Sequence, residues 1–233
     1  MQSILTSGLA ELGLSPASAP QLAHYGAALL EQNQVMNLTA ITQPEEVARL
    51  HMLDSAALLG AADFPEKTVL DVGTGAGFPG LVLRLCEPSI QLTLLDSLGK
   101  RVHWLESLAP SLGADNVTCV HGRAEELSPL PQWREQFDIV TSRAVADLRV
   151  LCELCLPFVK VGGVFLAMKA QQSNEEVNAA GRAVSILGGQ FQRAFSYTIP
   201  GTEVERKVIR IEKIRPTPAR YPRRFSKIKK TPL

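Results

Sequence analysis

The feature that most constrains this chain is a glycine-rich turn after a short β-prone segment. The segment Thr68–Val72 is followed by four glycines within eight positions, namely Gly73, Gly75, Gly77 and Gly80. Glycine permits a sharp turn and lets a ligand approach the backbone without a clash with Cβ. A helix that starts here adds unpaired N–H groups and the positive end of its dipole. The turn therefore predicts a strand–turn–helix unit that binds a nucleotide-like ligand.

From Lys67 onward, short apolar strands alternate with helical segments. The predicted strands are Thr68–Val72, Gln91–Leu95, Val117–Val120, Phe137–Thr141 and Gly163–Met168. Short buried strands separated by helices indicate an α/β fold, with a doubly wound and mainly parallel sheet. Two later β-rich stretches, at residues 191–199 and 204–211, predict an antiparallel edge hairpin. Ligands of such folds bind at the carboxyl ends of the strands.

The chain divides into three regions by periodicity and charge. Residues 1–62 have helical periodicity and predict an N-terminal helical extension, in which Thr42–Glu45 resembles a capping box. Residues 63–214 form the predicted ligand-binding α/β domain. Residues 215–233 contain four prolines and little periodicity, which predicts a tail or long loop.

The formal net charge of +1 conceals a strong asymmetry. Residues 206–233 contain eleven Lys or Arg and one acid, a balance of 11 − 1 = +10, and the first 205 residues carry 13 − 22 = −9. An acidic body with a basic tail predicts an anionic partner, with nucleic acid first among the candidates. A solvated tail without a partner is the alternative.

Several function classes are disfavoured by composition. No run of 18 apolar residues is present, so we expect no membrane span, and the first basic residue is Arg49, which is unlike a secretory signal and predicts a cytoplasmic protein. Cys152 and Cys155 form a CxxC pair without a second pair of ligands. We therefore expect no metal site and interpret these thiols as buried neighbours on one helix face.

Acidic residues near the turn favour S-adenosylmethionine over NAD. Asp71 lies two residues before the first glycine, where it suits a cationic sulfonium amino acid and would repel a pyrophosphate. Asp96 ends the second strand, in position for ribose hydroxyls, and Glu125 follows the third strand, where it could meet an adenine amino group. The alternatives are a helix cap for Asp96 and a surface carboxylate for Glu125.

An ordered set of short motifs surrounds the turn. Together with it they are Asn37–Thr39, Arg49–Ser55, Asp71–Gly80, Leu94–Arg101, Arg123–Glu125, Ser142–Ala146 and Arg220–Arg223. The set resembles the bacterial small-subunit ribosomal RNA methyltransferase G family, formerly called glucose-inhibited division protein B. The chain departs from the family pattern after Arg223, where an expected Gly-x-Pro element is replaced by Arg224–Lys230.

The resemblance implies a Rossmann-like class I methyltransferase that transfers a methyl group from S-adenosylmethionine to N7 of guanine 527 in the 530 loop of 16S rRNA. Its partner would be 16S rRNA or the small ribosomal subunit, and we expect a monomer. Implied or predicted cofactor-binding residues are Asp71, Gly73, Gly75, Gly77, Phe78, Asp96, Ser97, Leu98, Ala124, Glu125 and Arg143. Candidate RNA-binding residues are Arg49, His51, Lys169, Tyr221, Arg223 and Arg224.

The implied chemistry needs no general base, because guanine N7 has an in-plane lone pair and no proton to lose. Positioning would supply much of the acceleration, so we predict no catalytic base. A helix-packing role for His51 and a charged strand end for Lys169 remain alternatives. A methyltransferase for another substrate and a non-catalytic RNA-binding factor are the competing functions. Removal of residues after Arg215 is expected to weaken RNA binding and to leave cofactor affinity unchanged.

Overall fold

The computed structural model describes residues 1–143, 146–170 and 174–233, and an eight-stranded sheet forms its centre. The strands follow the order β3-β2-β1-β4-β5-β8-β6, and β7 also pairs with β8. β1 to β5 are parallel to one another, whereas β8 is antiparallel to β5, β6 and β7. Their bounds are β1 (Thr68–Val72), β2 (Gln91–Asp96), β3 (Val117–His121), β4 (Phe137–Ser142), β5 (Val159–Ala170), β6 (Gly189–Phe191), β7 (Phe195–Thr198) and β8 (Glu205–Lys213).

The predicted doubly wound, mainly parallel sheet is confirmed. The predicted antiparallel hairpin is confirmed as the β7–β8 pairing. However, β8 is not itself an edge, because it lies between β5 and the short strands β6 and β7. Its side chains Val208, Ile209 and Ile211 are buried, as for a strand covered on both faces.

Helices cover both faces of the sheet. They are α1 (Gln2–Glu11), α2 (Ala19–Met36), α3 (Pro44–Glu46), α4 (Asp54–Ala56), α5 (Gly80–Cys86), α6 (Gly99–Ser111), α7 (Ala124–Leu127), α8 (Leu148–Cys155), α9 (Asn174–Ile186) and α10 (Phe225–Lys230). Successive strand residues point to opposite faces, so Val69 joins the apolar core under the N-terminal helices and α5, and Leu70 joins the core under α8 and α9. No described helix is both long enough and apolar enough to span a membrane.

The N-terminal helices share the core of the sheet. Between α3 and α4 the backbone of Val47–Leu53 is π-helical, which the sequence did not predict. The predicted capping box is absent, because Gln43 precedes α3 and makes no side-chain cap bond. Leu5 and Leu22 are fully buried in the same core as Leu81 of α5. The helical extension is therefore packed directly on the sheet.

The C-terminal segment corrects the prediction of an irregular tail. Residues 225–230 form the helix α10, and Tyr221 and Ile228 are buried. Arg134 donates hydrogen bonds to the carbonyls of Thr217 (2.6 Å) and Tyr221 (3.1 Å). These tertiary bonds satisfy backbone groups that local periodicity cannot account for, and they fasten the segment to the domain.

Candidate functional site

The glycine-rich turn is tied to the neighbouring strand by its backbone. The amides of Gly73 and Thr74 donate to the Leu95 carbonyl at 2.8 and 3.1 Å. Gly73 and Gly75 have φ of 71° and 60°, a left-handed conformation that side chains with Cβ disfavour. A Cβ at either glycine would meet no protein atom within 4 Å. Both positions therefore leave open space at the carboxyl ends of β1 and β2.

Two carboxylates hold the turn in this shape. Asp71 Oδ2 accepts hydrogen bonds from the Thr74 hydroxyl (2.7 Å) and the Gly80 amide (3.0 Å). Asp96 Oδ2 accepts from the Gly75 amide at 2.8 Å, and its Oδ1 accepts from the Leu98 amide at 2.9 Å. The helix-cap alternative for Asp96 accounts only for the bond to Leu98. The bond to Gly75 also links β2 to the turn.

The second oxygen of Asp71 is the unusual feature of the turn. Oδ1 is buried and has no hydrogen-bond partner among the described residues. Burial raises the pKa of this carboxyl to about 6, against the lowering effect of its bonds to Thr74 and Gly80. An unpaired buried acceptor of this kind is costly unless a ligand with a donor or positive charge reaches it.

A cleft of about 220 Å³ opens beside the turn. It is lined by residues from the ends of the first three strands and by two residues beyond them: Val72, Gly73, Leu95, Asp96, Ser97, Gly122, Arg123, Ala124, Glu125, Leu154 and Phe225. Five predicted cofactor-binding residues therefore lie around one cavity. Leu154 and Phe225 were missed, because α8 and α10 reach the cleft only through the tertiary fold.

Two further predicted cofactor-binding residues, Gly77 and Leu98, do not line the cleft. A Cβ on Gly77 would come within 2.9 Å of the Leu105 side chain, and Tyr25 donates a hydrogen bond to the neighbouring Ala76 carbonyl. Glycine is required at position 77 because helices α2 and α6 pack there. Leu98 is 52% exposed at the start of α6, outside the cleft lining.

A second group of residues, here called the arginine cluster, lies beside the turn and consists of His51, Asp54, Phe78, Arg143 and Tyr197. Phe78 stacks on His51 with ring centroids 4.8 Å apart, and the Arg143 guanidinium lies 4.7 Å from the centroid of Phe78. Arg143 also contacts Asp54 Oδ2 at 3.5 Å. Residues Ala144 and Val145 of the Ser142–Ala146 motif lie outside the described residues.

The hydrogen bonds of His51 define its protonation. Arg143 can only donate, so His51 Nδ1 accepts its bond (3.1 Å), and Nε2–H donates to the Thr39 hydroxyl oxygen (2.7 Å). Burial and then the charge of Arg143 lower the pKa of His51 to about 4. The imidazole is therefore neutral at neutral pH and has no free lone pair. These contacts correspond to the alternative in which His51 packs within the fold.

The arginine cluster extends to the antiparallel side of the sheet, which sequence reasoning missed. The Tyr197 hydroxyl of β7 donates to Asp54 Oδ1 at 2.8 Å, and burial, followed by the charge of Asp54, raises the pKa of Tyr197. Arg206 of β8 lies 3.5 Å from the same carboxylate oxygen. No local signal marks these residues, because only the pairing of β7 and β5 with β8 brings them beside Asp54.

The predicted RNA-binding residues are mostly engaged within the protein. Tyr221 is only 7% exposed, Arg223 makes a bidentate ion pair with the buried Glu153, and Lys169 lies 2.9 Å from Glu176. Arg49 donates to the Gly201 carbonyl at 3.4 Å. Of the six candidates, Arg224 is exposed. The position of Tyr221 argues against base stacking by its ring.

The cysteines of the CxxC pair are buried on α8, as predicted. Burial raises the pKa of both Cys152 and Cys155, which keeps the thiols protonated. Within the described ranges, no three His, Cys, Asp or Glu side chains converge in a way that could hold a metal ion.

Known proteins resemble this chain over most of its length. The family model described as "GidB: rRNA small subunit methyltransferase G" matches residues 18–205. Ribosomal RNA small subunit methyltransferase G of Alkaliphilus metalliredigens is 45% identical over 99% of this chain and 98% of its own length. The protein of the same name from Bacillus subtilis is 44% identical over 98% of this chain and 97% of its own length.

Solved structures share the fold at low sequence identity. TrmN from Thermus thermophilus has a TM-score of 0.52 at 20% identity and covers 68% of this chain and 48% of its own. M. jannaschii TYW2 in complex with AdoMet has a TM-score of 0.53 at 15% identity and covers 65% of this chain and 72% of its own. The shared part is the Rossmann-like class I methyltransferase sheet.

The residues of the cleft fit S-adenosylmethionine, the cofactor of these methyltransferases. The open space at Gly73 suits close approach of the cofactor to the backbone. Asp71 is fully buried behind the turn and outside the cleft lining, and its unpaired oxygen is an acceptor that suits a positively charged group bound at the turn. Asp96 and Ser97 lie where a ribose would follow, and Glu125 lies farther along the cleft. When bound, the cofactor supplies an electrophilic methyl group.

Proposed function

The chain belongs to the rRNA small subunit methyltransferase G family and uses S-adenosylmethionine, and from this premise we propose that it methylates N7 of guanine 527 in the 530 loop of 16S rRNA. The proposal includes a direct transfer without a general base. It is supported by the pairing of the polar groups beside Phe78.

The observation that carries the proposal is that the polar groups beside Phe78 are already paired. His51 Nδ1 accepts from Arg143, and Asp54 accepts from Arg143 and Tyr197. His51 has no free lone pair and its pKa is lowered to about 4, and both oxygens of Asp54 are engaged by neighbouring side chains, so neither group is placed to remove a proton from an amino or hydroxyl group. A nucleophile without a proton, such as guanine N7, suits this arrangement.

Under the proposal, the chain contributes position and electrostatics. Asp71 and the turn hold the methyl donor, S-adenosylmethionine. The arginine cluster forms a rigid wall beside the turn. Because Arg143 is fixed by Asp54 and His51, its guanidinium needs little reorganisation during the reaction. Holding N7 in line with the breaking bond then lowers the barrier through orientation.

The exposed basic residues of the C-terminal segment supply a surface for rRNA. Arg220, Arg224, Lys227, Lys229 and Lys230 are all exposed. Lys213, by contrast, is fully buried, and its ammonium donates to the Leu156 and Val159 carbonyls at 2.8 and 3.1 Å. The basic segment therefore combines structural cations with free ones, and the free ones suit phosphate contacts.

The test is methylation of 16S rRNA from a strain that lacks the gene. Purified protein and labelled S-adenosylmethionine are incubated with naked 16S rRNA and with small subunits, and the modified nucleotide is mapped by mass spectrometry. We expect one 7-methylguanosine, in the 530 loop. Methyl transfer to a different atom or nucleotide would overturn the assignment, and transfer to protein or small molecules alone would overturn the substrate class.

A pH profile of the transfer step tests the absence of a base. Single-turnover rates at saturating cofactor and RNA should be flat from about pH 7 to 9, because N7 carries no proton to be removed. A rate that rises tenfold per pH unit across this range would indicate a required deprotonation and contradict the proposed chemistry.

A further inference from the structure

Phe225, in the first position of α10, lines the cleft beside the glycine-rich turn. It lines the same cavity as Asp96 and Glu125, although it lies 100 positions after Glu125 in the chain. It also lies beyond residues 18–205, the part matched by the family model. In this chain it belongs to the Arg224–Lys230 segment, which occupies the place of the expected Gly-x-Pro element.

The side chains around Phe225 form a layered wall. The Arg123 guanidinium lies 5.1 Å from the centroid of the Phe225 ring. On its other side, Arg123 Nε donates to Glu125 Oε1 at 2.6 Å. Phe225, Arg123 and Glu125 line a second cleft as well, together with Pro222 and Arg224, so these three side chains are shared by the two clefts.

Residues on either side of Phe225 anchor this segment to the domain. Ile228, one turn after Phe225, is fully buried. Arg223 donates to both oxygens of Glu153 on α8 at 2.6 to 3.1 Å, and Glu153 is fully buried. A ring held this way loses little additional freedom when a ligand packs against it, which favours binding.

We propose that Phe225 stacks on the adenine of S-adenosylmethionine and forms the outer wall of the adenine subsite. Aromatic side chains are common stacking partners of bases, because every base has a π face. The cleft supplies the rest of an adenine site, with Ala124 and Glu125 at the start of α7 and the apolar side chain of Leu154. The proposal depends on the cofactor and is independent of which rRNA atom is methylated.

The proposal makes the C-terminal helix part of two sites. Phe225 faces the cofactor cleft, and Lys227, Lys229 and Lys230 are exposed on the same six-residue helix. It also reverses an expectation from the sequence, since removal of residues after Arg215 would take away one wall of the cofactor site. Such a truncation should therefore weaken cofactor binding as well as RNA binding.

The test measures binding of S-adenosylhomocysteine and of adenosine by calorimetry to the full-length protein and its variants. Phe225→Ala should weaken both ligands on the order of tenfold, within the range measured for loss of one stacking contact. Phe225→Tyr keeps the aromatic face and should bind like the parent protein. Phe225→Leu keeps apolar bulk without the face and should be weakened. Ser226→Ala, on the adjacent exposed position of α10, is the matched control and should bind like the parent.

A fluorescence readout supplements the affinities. In Phe225→Trp the new indole should be quenched by adenosine more strongly than the native Trp104 and Trp133 are in the parent protein. The proposal is overturned if Phe225→Ala binds S-adenosylhomocysteine as tightly as the parent, or if Phe225→Leu binds as tightly as Phe225→Tyr. If Phe225→Ala does not fold, the Tyr, Leu and Trp variants still decide between these outcomes.

Discussion

The two halves of the site are built in different ways. The proposed cofactor half, comprising Asp71–Gly75, Asp96–Ser97 and Gly122–Glu125, is shaped mainly by backbone amides and open space. The arginine cluster beside it is made of side chains that bind one another. Only the first half leaves a buried polar atom unpaired, within the described residues of the two groups.

The difference follows from what each half has to do. A cofactor arrives with its own charge and hydrogen-bonding groups, so its half must leave acceptors and space available. Under the proposed function, the arginine cluster lies beside the guanine that is methylated, and a wall in that position keeps its shape when its polar groups are satisfied within the protein. The same reasoning predicts opposite responses to mutation: loss of binding in one half, and loss of structure in the other.

The largest expected effect is that of Arg143→Ala in the arginine cluster. The change leaves Asp54 buried with one fewer partner and removes the cation above Phe78. Breaking a buried pair costs about 3–5 kcal/mol; because Arg143 and Asp54 are 3.5 Å apart and the arginine is 20% exposed, we expect about 2–3 kcal/mol. Urea denaturation measures this loss, and methyl transfer should fall by at least about a hundredfold through lost positioning.

The control for this prediction is Arg149→Ala. Arg149 also pairs with a nearby aspartate, Asp147, at 2.8 Å, but the pair lies on the surface. We expect no measurable change in denaturation midpoint or in transfer rate. Equal effects of the two substitutions would show that burial of the arginine cluster has no particular importance.

The next effect separates binding from stability in the cofactor half. Asp71→Asn keeps one oxygen for the Thr74 and Gly80 donors but replaces the unpaired Oδ1 by an amide group. We expect cofactor affinity to fall by about 10- to 100-fold, as for a lost charged hydrogen bond of 1.5–3 kcal/mol. The free energy of unfolding should stay within about 1 kcal/mol of the parent's, because a costly buried charge disappears.

The control for Asp71→Asn is Asp138→Asn, at the start of β4 and therefore at the opposite end of the parallel strands. We expect it to affect stability and not cofactor binding. Asp138 accepts from the Thr68 amide and hydroxyl and from Lys160, and its pKa is lowered by these bonds in spite of the opposing effect of burial. Its replacement should lower stability slightly and leave calorimetric cofactor affinity unchanged. The interpretation of Asp71 fails if the two variants have the same pattern.

The two halves also differ in how far the sequence predicts them. The turn, Asp96 and Glu125 were found because each lies at or shortly after the carboxyl end of a strand, and the ends of parallel strands meet at one edge of the sheet. The bounds of β1 were predicted in full, since a buried strand beside glycines has a sharp compositional limit. Local order along the chain was enough for this half.

The arginine cluster could be predicted only in part. Arg143, His51 and Phe78 came from the family resemblance, whereas Tyr197, Arg206 and the π-helical stretch Val47–Leu53 had no local signal. Tyr221 and Arg223 were interpreted as RNA contacts because charge and aromaticity do not reveal burial. The partner of Arg223, Glu153, lies 70 positions away, and only the fold brings them together.

A smaller effect concerns the exposed lysines of α10. The triple variant Lys227→Ala, Lys229→Ala, Lys230→Ala should bind a 530-loop RNA hairpin more weakly. The slope of log affinity against log salt should shrink by about 2, at about 0.7 per phosphate contact with single-stranded RNA. Fluorescence anisotropy at several salt concentrations measures the slope. Cofactor affinity should not change, because these side chains are not part of the cleft lining; an unchanged slope would remove α10 from the RNA surface.

The smallest expected effect is a difference in acid sensitivity between the halves. The pKa of His51 is lowered to about 4, so the unfolded chain binds more protons at this residue below pH 6.5, and folding stability is lost as pH falls. The pKa of Asp71 is raised to about 6, so the folded state binds more protons there, and stability is gained as pH falls through that value. Between pH 6.5 and 5.5 each contribution is about 1 kcal/mol or less, with opposite sign.

Variants should separate the two contributions that nearly cancel in the parent protein. His51→Gln keeps an acceptor and a donor but does not titrate, so its unfolding free energy should fall less than the parent's on acidification from pH 6.5 to 5.5. Asp71→Asn removes the opposing contribution, so its stability should fall more than the parent's. Urea denaturation at both pH values measures the signs. Shifts in the same direction for both variants would contradict the assigned states, because a neutral buried imidazole and a buried carboxylate must respond to protons in opposite ways.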